Sequence, residues 1–506
     1  DRFWKSIGKP RNGLVFQKRQ SARAKYRKRL KECDSESDNY YSNALHESLM
    51  TKDDTNFWKI WKSKFSTKER CLEVDGESDP KEIASKFQAH FESIYKPNDI
   101  SQSEKIQHEY FDKRGNYVGY PSGNKTVFDA ELLGQLRSKL KCGKAPDFDG
   151  ITNEHLKYCH PIIEVILAKL YEGILQCGSV PSGFCKSYVV PLPKITNIRG
   201  KSLTCNDFRG IAISSVISKV FENCILEIFG EYFVSSDKQF GFKKGLGCTD
   251  AIYSARKLIE HIISGGNTAY LCALDISKAF DKTSHFGILL KLMQRKTPEK
   301  LLTVLERWLT NCWACVKWGG CFSGFFLLIV GVRQGSVLSP LFFALYIDSI
   351  VPTFTLGHCS FVIMYADDLL LISLSIRELQ LIFSTVELEL RSLDMRINPL
   401  KSSCIKIGPR FNADCINIRT AEGIEIPWKD STRYLGIYLK SAQNFKCNWS
   451  EARRKFFVSA NTIFGKLGRS TSEEVHLQLL FSKCIPMLLY GTECCYLTKA
   501  DLGSLD

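Results

Sequence analysis

Three carboxylates stand where apolar strands would not otherwise carry charge. Asp275 sits in the run YLCALDIS at 270–277, and Asp367 and Asp368 lie side by side inside SFVIMYADDLLLIS at 360–373. An unpaired buried carboxylate costs more than a sheet can return, so acids placed this way require a cation or a metal. Mg²⁺ takes oxygen ligands, commonly one or two carboxylates with substrate phosphates completing its shell. Two such ions about 3.5–4 Å apart activate a 3′-hydroxyl and stabilise a departing pyrophosphate. An Asp-Asp pair alone is equally what a solvated β-turn carries. The flanking VIMY and LLLI, together with the separate Asp275, favour the metal reading.

The elements around these acids follow from the hydrophobic pattern. YLCALDIS predicts a strand, with Lys278 to Lys291 turning into a helix. VGVRQGSVLSPLFFALYIDSI at 330–350 is a Gly/Ser-rich turn feeding an apolar helix. The run 360–373 predicts a hairpin with the acids at its turn. An amphipathic helix over 376–393 and strand-like runs at 403–407 and 433–439 follow. Strand–helix–strand–strand–helix–strand predicts an α+β fold, an antiparallel sheet with helices on one face. Upstream, 81–95, 127–141 and 153–174 have helical spacing. Residues 186–193 read as a strand stopped by Pro191 and Pro193, and the polar stretch 96–125 reads as a linker. Beyond 450 the pattern is helical, including 451–467 and 472–486.

Composition narrows the class. Of 506 residues, 44% are hydrophobic and 24% charged, a globular balance that excludes collagen-like, coiled-coil and largely disordered chains. The net charge is +15, and residues 1–31 hold twelve basic side chains against one acid. That arm, helical in propensity over 21–31, suits an anionic partner such as nucleic acid or is simply solvated. An acidic, Ser-rich patch follows at Asp34 to Asp38. NFWKIWKSKF at 56–65 interleaves aromatics with Lys; it either stacks bases, or Phe57, Trp58 and Trp61 dock a helix. The longest uncharged run, Ser349 to Ala366, contains Pro352, Gly357 and His358 and is no spanning helix. The 20 Cys are scattered and read as reduced, mostly buried thiols. Cys312, Cys315 and Cys321 lack a fourth zinc ligand. The chain begins without Met and shows no signal segment, so it is expected to be processed or a fragment.

Seven further blocks carry a resemblance: VVPLPK at 189–194, NDFRGIAISSVISKVFE at 206–222, QFGFKKGLGCTDAI at 239–252, LDISKAFDKTSH at 274–285, GVRQGSVLSP at 331–340, YADD at 365–368, and INPLKS at 397–402 with YLGIYL at 434–439. In this order they resemble reverse transcriptases of non-LTR (LINE-type) retrotransposons. Upstream, KAPDFDGIT at 144–152 resembles that family's GKAPGPDGI. The resemblance implies a right-hand polymerase, with fingers over 121–265, a palm over 266–440 and a helical thumb over 441–506, preceded by a basic arm and helical extension over 1–120.

It also implies residue roles. Asp275, Asp367 and Asp368, with the carbonyl of Ile276, match the metal-binding positions for two Mg²⁺ ions, Mn²⁺ being the alternative. Phe280 matches the bulky residue against the sugar 2′ position, favouring dNTPs; by itself it reads equally as a core Phe. Asp281 is read as a helix-capping or supporting acid. Lys194 and Arg209 match triphosphate clamps. Gln334 and Gly335 match the turn under the templating pair, where glycine permits close backbone approach. Arg333 is expected at the strand backbone or an acid, and Lys401 at the leaving pyrophosphate. Tyr434, Leu435 and Gly436 match the primer grip. Departures from the pattern are Arg209-Gly210 for Arg-Pro, Phe242-Lys243-Lys244-Gly245-Leu246 for an Arg-rich segment, and Asp147-Phe148-Asp149-Gly150 for GPDG. One phosphate contact there is expected to be weakened or replaced by Lys, and the last change is expected to disturb a turn.

The implied activity is RNA-directed DNA synthesis from an RNA template, a DNA primer or target and dNTPs, inside an intracellular ribonucleoprotein of nucleus or cytoplasm. The implied endonuclease is separate or lost, and no membrane is involved. Two alternatives stand: an RNA-dependent RNA polymerase, against which Phe280 argues, and a decayed remnant that only binds nucleic acid, against which the surviving acids, Lys194, Arg209 and Gln334 argue. A group II intron maturase or retron-like enzyme is a further relative, which FDKTSH and YADD fit less well.

Overall fold

The computed structural model describes residues 2–6, 8–65, 73–121, 128–194, 202–350, 360–467, 471–495, 497 and 499–505. Residues 122–125 of the expected linker and 351–359 of the uncharged run lie outside them. The chain divides into two compact units: residues 70–448 with 493–496, and residues 1–69 with 449–492 and 497–506.

Among the described residues, nine strands build two sheets in the larger unit: β1 (Lys186–Pro193), β2 (Phe208–Ser214), β3 (Ala269–Asp275), β4 (Trp313–Trp318), β5 (Cys321–Phe322), β6 (Phe326–Leu327), β7 (Ser360–Tyr365), β8 (Asp368–Ser373) and β9 (Ser403–Ile407). The first sheet runs β2-β1-β4-β5, with β6 paired to β4. It is mixed, because β1 pairs antiparallel with β2 but parallel with β4, the latter over Lys186–Val189 only. Beyond Val189, Pro191 and Pro193 have no N–H to offer a further strand, so the pairing with β4 stops early while β1 itself runs to Pro193, as expected.

The second sheet is antiparallel, in the order β7-β8-β3-β9. Directly opposite residues share a face, so its register sorts the side chains. Leu274, Leu369 and Met364 form one row, and Asp275, Asp368 and Tyr365 the next, on the other face. The first face packs against the helix Ile376–Ser392 through Leu379, Ile382, Phe383 and Val386 in one core cluster. The helix Cys248–Ser264 lies against β3 and β7, and its Cys248 thiol hydrogen-bonds Tyr365 on the second face. The expectation of helices on one face is thereby corrected. Burial on both faces is also why these strands read as unbroken apolar runs instead of alternating ones.

Other differences have local causes. The expected linker contains a helix, Ile100–Arg114, whose N-terminus is capped by Asp99 and which buries only Ile106 and Tyr110, one turn apart. The helix expected over 153–174 is split at Pro161 into Asn153–Tyr158 and Ile162–Cys177. After β3, a 3₁₀ turn over Ala279–Lys282 precedes the helix His285–Gln294. The strand-like run at 433–439 is a hairpin of β12 (Ser431–Tyr434) and β13 (Ile437–Lys440), joined by β14 (Lys446–Cys447), while β10 (Ile418–Arg419) and β11 (Glu425–Ile426) pair separately. Its two turn residues, Leu435 and Gly436, have φ of 43° and 90°. Positive φ at both central residues matches the right-handed strand twist.

In the smaller unit the helical arm is part of one long helix, Leu14–Met50. Leu45 and Phe57 join Ala460, Ile463, Leu467, Val475 and Leu479 in a core, with Trp58 and Trp61 packed against it. Lys64 pairs with Asp38 at 3.0 Å. These contacts favour the helix-docking reading of residues 56–65. No helix among the described residues is long and apolar enough to cross a membrane.

Candidate active site

Nine of the thirteen positions assigned from the sequence line one cleft of about 520 Å³, together with Asp281 and Arg333: Lys194, Arg209, Asp275, Ile276, Phe280, Gln334, Gly335, Asp367 and Lys401. They arrive from both sheets of the larger unit. Asp275 ends β3 directly opposite Asp368, the first residue of β8. Its backbone is fixed on both sides, the amide donating to Ser402 Oγ at 3.3 Å and the carbonyl accepting from Asn398 N at 2.8 Å. Lys401 Nζ lies 3.6 Å from its carboxylate. Asp368 and the 434–436 turn lie outside the cleft lining, but Tyr434 is close enough for the Asp368 charge to act on its buried hydroxyl, which has no hydrogen-bond partner.

Electrostatics divides the cleft into two poles. Burial raises the Asp367 pKa, with Asp275 adding to the rise. Asp368 goes from 3.8 to about 6, through burial and then through Asp367 and Asp275. At the opposite pole, burial and then the charges of Lys401, Arg209 and Lys278 lower the pKa of Lys194. Lys194 Nζ is held by the Asn206 carbonyl at 2.6 Å. Like charges held together on each side favour a cation at one pole and a polyanion at the other.

Between the poles, Phe280 stacks on Phe343 at 4.7 Å and meets Phe242 edge-on at 5.9 Å. Asp281 accepts from Gln334 Nε2 at 2.9 Å and from the Tyr95 hydroxyl, which makes it a supporting acid under the turn and not a helix cap. The Gln334 carbonyl accepts from Ala212 N at 2.8 Å. Gly335 has φ of 131°, and a Cβ there would stand 2.4 Å from the Ala212 carbonyl oxygen. The cleft could therefore bind a phosphorylated ligand at its cationic wall and a divalent cation at its acidic wall.

Residues 193–439, which contain all thirteen assigned positions, match the family described as reverse transcriptase (RNA-dependent DNA polymerase). This segment is a reverse transcriptase domain. The chain is 24% identical over 487 residues to the probable RNA-directed DNA polymerase from transposon BS of Drosophila melanogaster, covering 89% of this chain and 52% of that protein. It is 24% identical over 354 residues to the Pol polyprotein of the type-2 retrotransposable element R2DM, covering 67% and 33%. The polymerase from mobile element jockey of Drosophila funebris matches at 22% over 391 residues, covering 72% and 41%. The chain thus spans about half or less of the length of these relatives. Reverse transcriptases use divalent metal ions. No group of three or more His, Cys, Asp or Glu side chains among the described residues is gathered tightly enough to hold a metal by itself. The all-oxygen donor set and the raised pKa values of Asp367 and Asp368 nonetheless suit a hard divalent cation.

Arg333, Lys243 and the Asp147–Gly150 turn each find partners of their own within the larger unit. Arg333 meets no acid: at the base of the cleft it is largely buried, donates to the Phe184 carbonyl at 3.1 Å and faces the Trp308 ring. Lys243 is engaged by the Ser236 carbonyl at 2.6 Å. The Asp147–Gly150 turn is undisturbed. Asp147 accepts from Asp149 N and Ile151 N and caps the helix Val216–Phe229 through Val216 N at 3.0 Å.

Two supporting residues were quoted in the sequence blocks without a role. Gln239, fully buried, accepts from Ala366 N and Gly241 N at 2.9 Å each. Segment 238–241 also exchanges backbone bonds with Met364, so it clasps the turn that carries Asp367. Ala366 in that turn has φ of 54°, a conformation that costs a residue with a Cβ about 1 kcal/mol. Glu222, 1% exposed, accepts from Ser336 Oγ and from the amides of Val337 and Leu338. Its signal was a lone charge on an otherwise apolar helix stripe.

The raised Asp368 fixes a pH dependence. Its proton competes with a divalent ion, so ion affinity is expected to rise about tenfold per pH unit below about 6 and to level off above it. Titration calorimetry with Mg²⁺ or Mn²⁺ from pH 5 to 8 checks this. Without the ion the sign for stability is opposite. A carboxylate whose folded pKa lies above its unfolded value contributes stability that is complete below about 3.9 and lost as pH rises through about 6.

Proposed function

We propose that this chain is the polymerase portion of a non-LTR retrotransposon protein. It extends a primer 3′-hydroxyl with dNTPs along an RNA template. The observation that carries this reading is the two-pole cleft whose acids, Asp275 and Asp367, and cations, Lys194 and Arg209, all come from the matched domain. Asp275, Asp367, Asp368 and the Ile276 carbonyl would hold two Mg²⁺ ions, which supply Lewis-acid stabilisation of the reacting phosphoryl group. Lys194 and Arg209 bind and orient the triphosphate. Lys401 gives a proton to the leaving pyrophosphate. Residues 121–265 serve as fingers, 266–440 as palm with Tyr434, Leu435 and Gly436 gripping the primer, and 441–506 as thumb.

Primer extension on poly(rA)/oligo(dT) with Mg²⁺ and dTTP tests this. Activity in the parent and its absence in a folded Asp367→Ala variant are expected. A folded, duplex-binding parent without activity would leave only the nucleic-acid-binding remnant. We assign Phe280 to sugar selection. Phe280→Val is expected to raise ribonucleotide use relative to dNTP use by about 10–100-fold, read as the ratio of kcat/KM values. A parent that already uses both equally would instead be an RNA polymerase.

A further inference from the structure

The β5 edge of the mixed sheet carries a patch that lies outside the cleft lining and that the reaction does not use. Phe322 ends β5, Phe325 follows it, and Phe148 comes from the Asp147–Gly150 turn. The Phe148 ring centroid is 5.5 Å from Phe322 and 5.7 Å from Phe325. The three residues are 44%, 43% and 40% exposed respectively. Aromatic rings contribute most when buried, so three left open in one cluster mark a binding surface. Lysines are interleaved with them. Lys317 Nζ stands 5.1 Å from the Phe322 ring and 5.1 Å from the Tyr188 ring, and Lys186 Nζ stands 5.8 Å from Phe325. Lys141 and Lys144 are exposed on the loop leading into Phe148, against the exposed acid Asp149.

This charge pattern selects the partner. An apolar protein surface seated here would bury ammonium groups without counter-charges, at a high desolvation cost. A single nucleic-acid strand offers flat bases to the rings and phosphates to the lysines. We propose that this patch binds single-stranded nucleic acid by base stacking and holds the template strand ahead of the cleft; the template role rests on the polymerase reading above. β1 joins the two places. Lys186 opens it at the patch, and Lys194 lies just past its other end at the cleft, eight residues away. At about 3.3 Å per residue this is roughly 25 Å, the reach of a few extended nucleotides.

The test is the affinity of the full chain for a primer–template duplex with a 5′ template overhang of about six nucleotides, compared with the same duplex blunt-ended. Phe148→Leu with Phe322→Leu keeps the patch apolar and removes the stacking rings. Expected is about tenfold or greater weakening on the overhang, with blunt-duplex affinity and thermal midpoint unchanged. Equal affinity for the overhang, or equal losses on both duplexes, would overturn the proposal. RNA and DNA overhangs are run in parallel. A loss on RNA or on both supports a template platform, and a loss on DNA alone refutes it. Extension assays on the same samples separate the two readings: ring-dependent overhang binding without any extension would sink the polymerase reading and leave the stacking surface standing.

Discussion

Asp275→Asn is expected to reduce primer extension by about a thousandfold or more while the protein stays folded. The substitution is isosteric and leaves the backbone bonds to Ser402 and Asn398 intact, so β3 should keep its register. What it removes is one of the three negative charges of the acidic pole. Preorganised charge is worth about a hundred- to a thousandfold per group in a water-excluded site, and loss of a metal-holding carboxylate lies at the upper end. A second readout separates chemistry from collapse. Asp275 is one of the charges that raise Asp368 to about 6, so the Asn variant should show Asp368 titrating lower, as read by carboxyl NMR. Lys401→Ala should cost less, about 10–100-fold, because it removes an exposed proton donor and leaves the acids in place. A fully active Asp275→Asn would remove β3 from the catalytic assignment.

Glu222→Ala is expected to destabilise the protein by about 3–5 kcal/mol, comparable with breaking a buried charged hydrogen-bond network. Its carboxylate accepts three donors at the 336–338 turn, which feeds the helix Ser339–Ile347. Removing the acceptor strands all three donors, the Leu338 amide fully buried and the Ser336 hydroxyl and Val337 amide partly so. That helix carries Phe343, on which Phe280 stacks, so the damage should reach nucleotide selection as well as stability. Glu222→Gln retains one good acceptor and should lose less, with dNTP KM rising more than kcat falls. Denaturant melts give the first number and steady-state kinetics the second. An Ala variant as stable as the parent would mean that the turn holds its shape unaided.

The acids, the hairpin and the second sheet were legible because charges at the ends of apolar strands have few structural explanations and because the blocks occur in a fixed order. Coverage of both sheet faces was not legible. An unbroken apolar run gives no sign of what lies on either side, and the helix Cys248–Ser264 packs on β3 and β7 without any local cue. The helix Ile100–Arg114 was hidden because it offers the core only Ile106 and Tyr110. The buried Arg333 read as functional because arginine beside a Gly-rich turn suits phosphate equally well; only its place against Phe184 and Trp308 decides otherwise. Gln239 was invisible for a related reason. A glutamine's role depends on which amides it reaches, and one of these, Ala366 N, lies in a distant part of the chain.

That distance bears on how the molecule folds. A two-residue hairpin turn ordinarily closes early, on local contacts alone. Here Ala366 adopts its disfavoured backbone while bonded to Gln239, 127 residues earlier in the chain. Such a contact is entropically expensive to close before the intervening chain has condensed. The hairpin's strands can pair first, but its turn is fixed in its final form only once segment 238–241 has docked. The core should therefore form ahead of the catalytic geometry, and in refolding experiments buried-aromatic fluorescence should recover before high-affinity divalent-ion binding does.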